Sequence, residues 1–197
     1  MRIVGLTGRS GSGKTSVCIA ARDLGIEVMN CDLVYREMTS RPSPLLSAIG
    51  RSFGKVAVAG GSLNRSVLRE IVFADRKALK RLNSLTARYM GKEIRKLADS
   101  VAEKTNILLL DAPTLFETGT DSYCDYVIGV IANEEDCISR LILRDGISEE
   151  EARIRLRNQL PESYFLEHCD VILENRGDMK ELYDASVKVL SDLLNRS

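Results

Sequence analysis

The chain has 197 residues with 28 basic and 28 acidic side chains, so it carries no net charge, and 44% of it is hydrophobic. That is enough for one domain with its own core, and it argues against a uniformly basic nucleic-acid surface. With 5% aromatic residues, no Trp and no apolar run near the ~20 residues of a bilayer span, base-stacking and membrane-spanning classes are set aside.

The elements follow in chain order. Arg2–Leu6 is a short run rich in Ile, Val and Leu, as are Ile26–Asn30, Ile107–Leu110, Tyr126–Ala132 and Val171–Leu173. Near-continuous apolar character, rather than alternation, predicts strands buried on both faces. Thr15–Leu24 reads as a helix that stops at Gly25. Between the second and third runs, about 75 residues intervene, where one crossover helix needs roughly a dozen. Arg41–Pro44 reads as a turn and Ala59–Ser62 as a loop. Helical stripes then run through Leu63, Val67, Ile71 and Val72, through Leu79, Leu82 and Leu85, and through Ile94, Leu97 and Val101. The expectation is an α/β fold in a single domain: a core of residues 1–32, 106–136 and 162–197, a helical insertion over about 33–105, and a helical lid over about 137–161.

The cysteines Cys18, Cys31, Cys124, Cys137 and Cys169 are odd in number and widely spaced, which fits neither a disulfide framework nor a zinc site. They read as small, mostly buried hydrophobes in a reducing compartment. With an N-terminus lacking a signal peptide, this predicts a cytosolic protein. His168, the single histidine, rules out a two-histidine metal site and is expected to be solvated or capping.

Gly8–Thr15 matches G-x-x-x-x-G-K-[ST] at every fixed position. Polyphosphate needs many donors close to its oxygens, and Gly8, Gly11 and Gly13 let main-chain N–H groups converge on it. The helix that follows adds its free N–H groups and positive dipole end, from Ser12 through Ser16. Lys14 can neutralise the β- and γ-phosphates, and the Thr15 hydroxyl can sit on Mg²⁺. An apolar strand before the loop and a helix after it supply the required context.

Asp32 and Asp111 each follow an apolar strand, and in open parallel sheets the ligand crevice lies at the strands' carboxyl ends. Asp111 then has the form of a magnesium-holding Walker-B carboxylate, the alternative for both being a helix N-cap or a turn. Arg140 and Arg144 share one helix face, as do Arg153 and Arg157. Arginines on a mobile helix pair can exclude water and balance charge on a transferring phosphoryl group, a role assigned to Arg140. Arg153 and Arg157 are expected on a solvated face, bridged by Glu149–Glu151. Gly146 ends one lid helix, and Ser148 with Glu151 starts the next as a capping box. Asn175-Arg176-Gly177-Asp178 resembles a guanine-reading signature, but Asp111-Ala112-Pro113-Thr114 lacks the Asp-x-x-Gly that a GTPase switch requires.

Taken together, these residues resemble the dephospho-coenzyme A kinase family, a branch of the nucleoside-monophosphate-kinase-like P-loop group, nearly end to end. The resemblance rests on Gly5–Lys14, on Cys31-Asp32, on Leu63-Asn64-Arg65 with Leu68 and Phe73, and on Asp111–Glu117. It continues through Arg140-Leu141 with Arg144-Asp145 and Gln159, and through Cys169–Ile172 with Asn175 and Gly177. It implies a P-loop NTPase fold with a five-stranded parallel sheet, Mg²⁺, and ATP and dephospho-CoA as substrates; composition predicts no nucleic-acid or membrane partner, and a monomer is favoured with the oligomeric state left open. It further implies ATP contacts from Gly8, Gly11, Ser12, Gly13, Lys14, Thr15, Ser16, Arg144, Asn175 and Gly177, and acceptor contacts from Asp32, Arg65, Asp111, Phe116 and Glu117. Lys14, Asp32 and Arg140 would be the catalytic residues, Thr15 and Asp111 the metal-holding ones. The chain departs from the family pattern at Gly60 before the Leu-Asn-Arg segment, at Ala87-Arg88 where His-Pro is usual, at Thr114 for Leu, and at Arg9-Ser10 for Gly-Ile. A P-loop kinase for another small hydroxyl acceptor, or a non-catalytic ATP-binding regulator, stays open at this point.

Overall fold

A computed structural model describes residues 1–195. It comprises β1 (Arg2–Thr7), α1 (Lys14–Asp23), β2 (Glu27–Asn30), α2 (Cys31–Ser40), α3 (Pro44–Phe53), β3 (Val58–Ala59), β4 (Ser62–Leu63), α4 (Arg65–Ala74) and α5 (Arg76–Val101). The remainder is β5 (Ile107–Asp111), α6 (Leu115–Thr118), β6 (Tyr126–Ala132), α7 (Glu134–Asp145), α8 (Glu149–Arg157), α9 (Glu162–His168), β7 (Val171–Asn175) and α10 (Met179–Asn195). The chain divides into two compact units: residues 1–29, 101–113 and 124 onward, and residues 30–100 with 114–123.

The first unit is built on a five-stranded parallel sheet in the order β2-β5-β1-β6-β7. β1 pairs with β5 through Val4↔Leu109 and with β6 through Leu6↔Ile128, which puts the strand that feeds the phosphate loop at the centre. All four apolar residues of β5, Ile107–Leu110, are fully buried, the burial that a continuous apolar run demands. Val4, Val17, Ala21, Leu109, Ile128, Leu182 and Leu190 pack into one core. Helices α7 and α8 share a small core of their own, Cys137, Ile138, Leu141, Ala152 and Leu156. Gly146 caps α7 at φ +64°. Ser148 and Glu151 form the expected capping box at α8, with Ser148 N–H donating to Glu151 Oε2 at 2.8 Å and Glu151 N–H to Ser148 Oγ at 3.2 Å.

The second unit is helical around Leu45, Ile49, Ala57 and Leu68. Two expectations need correction there. The stretch Ala59–Ser62 is not a plain loop but the turn of a hairpin pairing Val58 with Leu63 and Ala59 with Ser62. Gly60 and Gly61 hold φ of +57° and +78°, as a two-residue hairpin turn requires. The departure at Gly60 is therefore a change of turn residue, since Asp-Gly and Gly-Gly both suit such a turn. Leu63 consequently belongs to a strand; Asn64 caps α4, and Leu68 is the residue that helix buries. The two later stripes are one helix, α5, on which Leu79 is 42% exposed while Ala78, Met90, Ile94 and Ala98 are buried. A glycine inside so long a helix has a packing cause: a Cβ on Gly91 would lie 2.2 Å from the Tyr123 ring.

Candidate active site

The phosphate loop connects the central strand to α1, and the reasons for its glycines are steric as well as conformational. Gly8, Gly11 and Gly13 have φ of +143°, +81° and +110°. A Cβ at each would come within 2.2 Å of the Val130 carbonyl oxygen, 2.6 Å of the Cys137 carbonyl oxygen and 2.4 Å of Asn175 Nδ2, respectively. The motif thus serves close packing against β6, α7 and β7 in addition to main-chain approach by a ligand. Lys14, the first residue of α1, donates from Nζ to the carbonyls of Gly8 at 2.9 Å and Arg9 at 3.1 Å. Its ammonium arches back over the loop. Burial holds its pKa below the ordinary lysine value, opposed by the charge of Asp111.

Thr15, next on α1, is exposed, while Ser16 is buried. Ser12 is 1% exposed, and its Oγ has no partner among the described residues. Asp111 ends β5, beside β1. The pKa of the Cys18 thiol is pushed up to about 12, first by burial and then by the Asp111 charge. All five cysteines are thiols. His168 is exposed and stacked on Tyr164 at 3.9 Å between ring centroids.

Arg140 donates to the Gly11 carbonyl at 3.0 Å and to Asn175 Oδ1 at 3.3 Å. Asn175 is 1% exposed and donates from Nδ2 to the Ser12 carbonyl at 2.8 Å, while Gly177 N–H donates to its Oδ1. This amide is therefore a clamp on the loop. The ATP contact that the resemblance implies at this position would have to come from the neighbouring main chain, because the side chain is already engaged. Arg144 bonds its own neighbour Asp145, with a side chain 61% exposed. Arg153 pairs with Glu149 and Glu135, a solvated ion-pair network as its spacing predicts.

In the helical unit, Asp32 is the second residue of α2 and exposed; the N-cap is Asn30, whose Oδ1 accepts from Leu33 N–H at 2.8 Å. Asp32 is therefore not spent on capping, and an acidic residue in a first turn is favoured by the helix dipole. Arg65 donates to Thr39 Oγ1 at 3.3 Å and lies 5.9 Å from the centroid of the Tyr35 ring. Phe116 and Glu117 line a cavity of about 520 Å³ together with Lys80, Asn83, Ala87 and Arg88 of α5. Asn83 donates to the Glu117 carbonyl at 2.6 Å. Glu117 Oε2 is buried without a hydrogen-bond partner among the described residues, and burial raises its pKa above the usual carboxylate range. Lys80 and Asn83 carry no motif, and only the fold places them beside Glu117. Among the described residues, no helix is long and apolar enough to cross a membrane, and no cluster of three metal-ligating side chains occurs.

A family model described as dephospho-CoA kinase matches residues 2–181 of this chain. The dephospho-CoA kinase of Syntrophotalea carbinolica is 36% identical over 196 residues, covering 98% of this chain and 93% of its own. That of Aquifex aeolicus is 34% identical over 194 residues, covering 98% of both. A crystal structure of a Thermus thermophilus protein superposes with a TM-score of 0.75 at 30% identity, covering 98% of this chain and 97% of the other.

Proposed function

The chain belongs to the dephospho-CoA kinase family, and from that premise we propose how its residues divide the transfer of the ATP γ-phosphoryl group to dephospho-CoA, the last step of CoA biosynthesis. The acceptor atom is the ribose 3′-hydroxyl. The single observation that carries this division is the phosphate loop, with three glycines locked by packing and Lys14 arched over its carbonyls.

Main-chain N–H groups of Gly11 through Ser16 cradle the triphosphate, and Lys14 moves from the loop carbonyls onto its β- and γ-oxygens. Asp32 accepts the hydrogen bond of the acceptor hydroxyl. Because the transition state is loose, orientation matters more than base strength there. Arg140 leaves the Gly11 carbonyl to offset charge on the transferring group, while Asn175 keeps the loop closed. Arg65, Phe116 and Glu117 hold the acceptor, and Arg144 and Gly177 border the nucleotide.

The donor set suits Mg²⁺: a hard cation that keeps waters and takes one or two carboxylates beside substrate phosphates matches one carboxylate, Asp111, and one hydroxyl, Thr15. Bound with ATP, the ion would supply charge neutralisation across the β- and γ-phosphates. The remaining proposals are a monomer in the cytoplasm acting on small molecules. The test is purified protein with Mg·ATP and dephospho-CoA, read by product mass. A gain of one phosphate at the 3′-position is expected. Phosphorylation elsewhere, or of another acceptor only, would overturn the assignment.

A further inference from the structure

Arg9 and Ser10 occupy the first two variable positions of the phosphate loop, and both bond to the lid. Arg9 donates from Nη1 to Glu134 Oε2 at 3.0 Å and from Nη2 to the Leu156 carbonyl at 3.2 Å. One guanidinium thus reaches the first residue of α7 and the last turn of α8. Carbonyls in a last turn have no partner within their helix, and a cation there also meets the negative end of the dipole. The Arg9 side chain is only 16% exposed, which distinguishes this pairing from the solvated ion pairs along α8. Ser10 is held twice by one residue: its N–H donates to Gln159 Oε1 at 2.9 Å, and Gln159 Nε2 donates to Ser10 Oγ at 3.1 Å.

We propose that Arg9 and Gln159 form a latch that couples the lid to the shape of the phosphate loop, making both of them positioning residues for the triphosphate. The inference rests on the assignment of this loop to ATP. A segment with glycines at 8, 11 and 13 has many conformations open to it when unfastened. The latch excludes those in which the amides diverge, so less ordering is left for the nucleotide to impose. Linkage then requires the converse: a bound triphosphate holds the lid down. An amide is the side chain the arrangement demands at position 159. It accepts from an N–H and donates to a hydroxyl while adding no negative charge beside the polyphosphate.

The test measures Mg·ATP affinity by calorimetry, with steady-state kinetics and melting temperature, on the full chain and on Gln159→Ala, Arg9→Ala, the double variant and Gln159→Glu. Each alanine variant is expected to weaken ATP binding about tenfold and to raise the ATP KM in step, with the KM for dephospho-CoA within twofold. The double variant should lose less than the product of the two, because they serve one latch. Gln159→Glu keeps the shape and adds charge, so its ATP KM should exceed that of the alanine variant at low salt and approach it as salt is raised. If the unaltered chain fails to bind Mg·ATP, the assignment of the loop falls and the latch with it. If the unaltered chain binds and all four variants bind within twofold of it, the latch alone is overturned. Equal rises in both KM values, or losses that merely track melting temperature, would likewise overturn it in favour of a packing role.

Discussion

Around the phosphate loop, most polar side chains engage one another or the main chain: Asn175 on Ser12, Arg140 on Gly11, Lys14 on Gly8 and Arg9, with Ser12 Oγ left without a partner among the described residues. In the cavity of the helical unit, Glu117 Oε2 is buried with no partner among the described residues, beside Lys80 and Arg88. The difference teaches how each region meets its ligand. A triphosphate presents a row of equivalent anionic oxygens, and a loop whose main chain is fastened in advance would present its amides to them with little further ordering. On the proposed assignment of this cavity to the acceptor, a long and chemically mixed molecule would satisfy side-chain groups that the open cavity leaves.

The largest effect that would sharpen this contrast is expected of Lys14→Ala. Removing the ammonium from a fastened loop should lower turnover by about 10²–10³-fold or more, with circular dichroism and melting temperature near the parent's. Normal turnover in that folded variant would break the assignment of the loop. Asp32→Asn comes next: Mg·ATP binding should be kept, while transfer falls about 10²-fold or more in single-turnover assays. Survival of activity within a few-fold would show that Asp32 does not face the acceptor.

Glu117→Gln probes the other side of the comparison and should act through dephospho-CoA, raising its KM several-fold and leaving that of ATP unchanged. It also has a pH signature. Burial raises the folded pKa of Glu117, so ionising it costs stability, a cost absent below the ordinary carboxylate pKa that builds as pH rises through the folded value. Glu117→Gln should therefore melt higher than the parent at neutral pH and equal to it in acid; a constant offset across pH would contradict the burial account. The smallest effect is expected of Arg153→Ala. Its partners Glu135 and Glu149 are largely solvated, and such pairs contribute little. Thermal melts and turnover should stay close to the parent values, and a large loss in either would mean that α7 and α8 depend on their outer charges as much as on the contacts of Arg9.

Much of this was legible in the residues. Five apolar runs marked the five strands of the parallel sheet to within a residue or two; the interior strands β1, β5 and β6 are mostly buried, as such runs predict, whereas the edge strands β2 and β7 expose Glu27, Asn30 and Glu174. The loop motif, Gly146 and the Ser148–Glu151 box were readable because each is local chemistry at fixed spacing. The hairpin at Gly60-Gly61 was hidden by strands of two residues apiece, too short for alternation to register. Leu79 fell on a helical stripe yet lies outside the core, since periodicity marks a face without saying which elements cover it. Arg9 stood out only as an unusual loop residue, and nothing near it in sequence names Glu134 or Leu156 as its partners.

By itself, then, the sequence determined the strand–loop–helix that carries the phosphate-loop motif, the caps and the buried strands, all of which depend on residues close together in the chain. Only the tertiary structure decided that Asn175 clamps the loop, that Gly91 exists to admit Tyr123, and that Glu117 meets Lys80 and Arg88 across one cavity. Those pairings join positions dozens of residues apart or more. Their distances are set by how strands and helices pack, which no local pattern encodes.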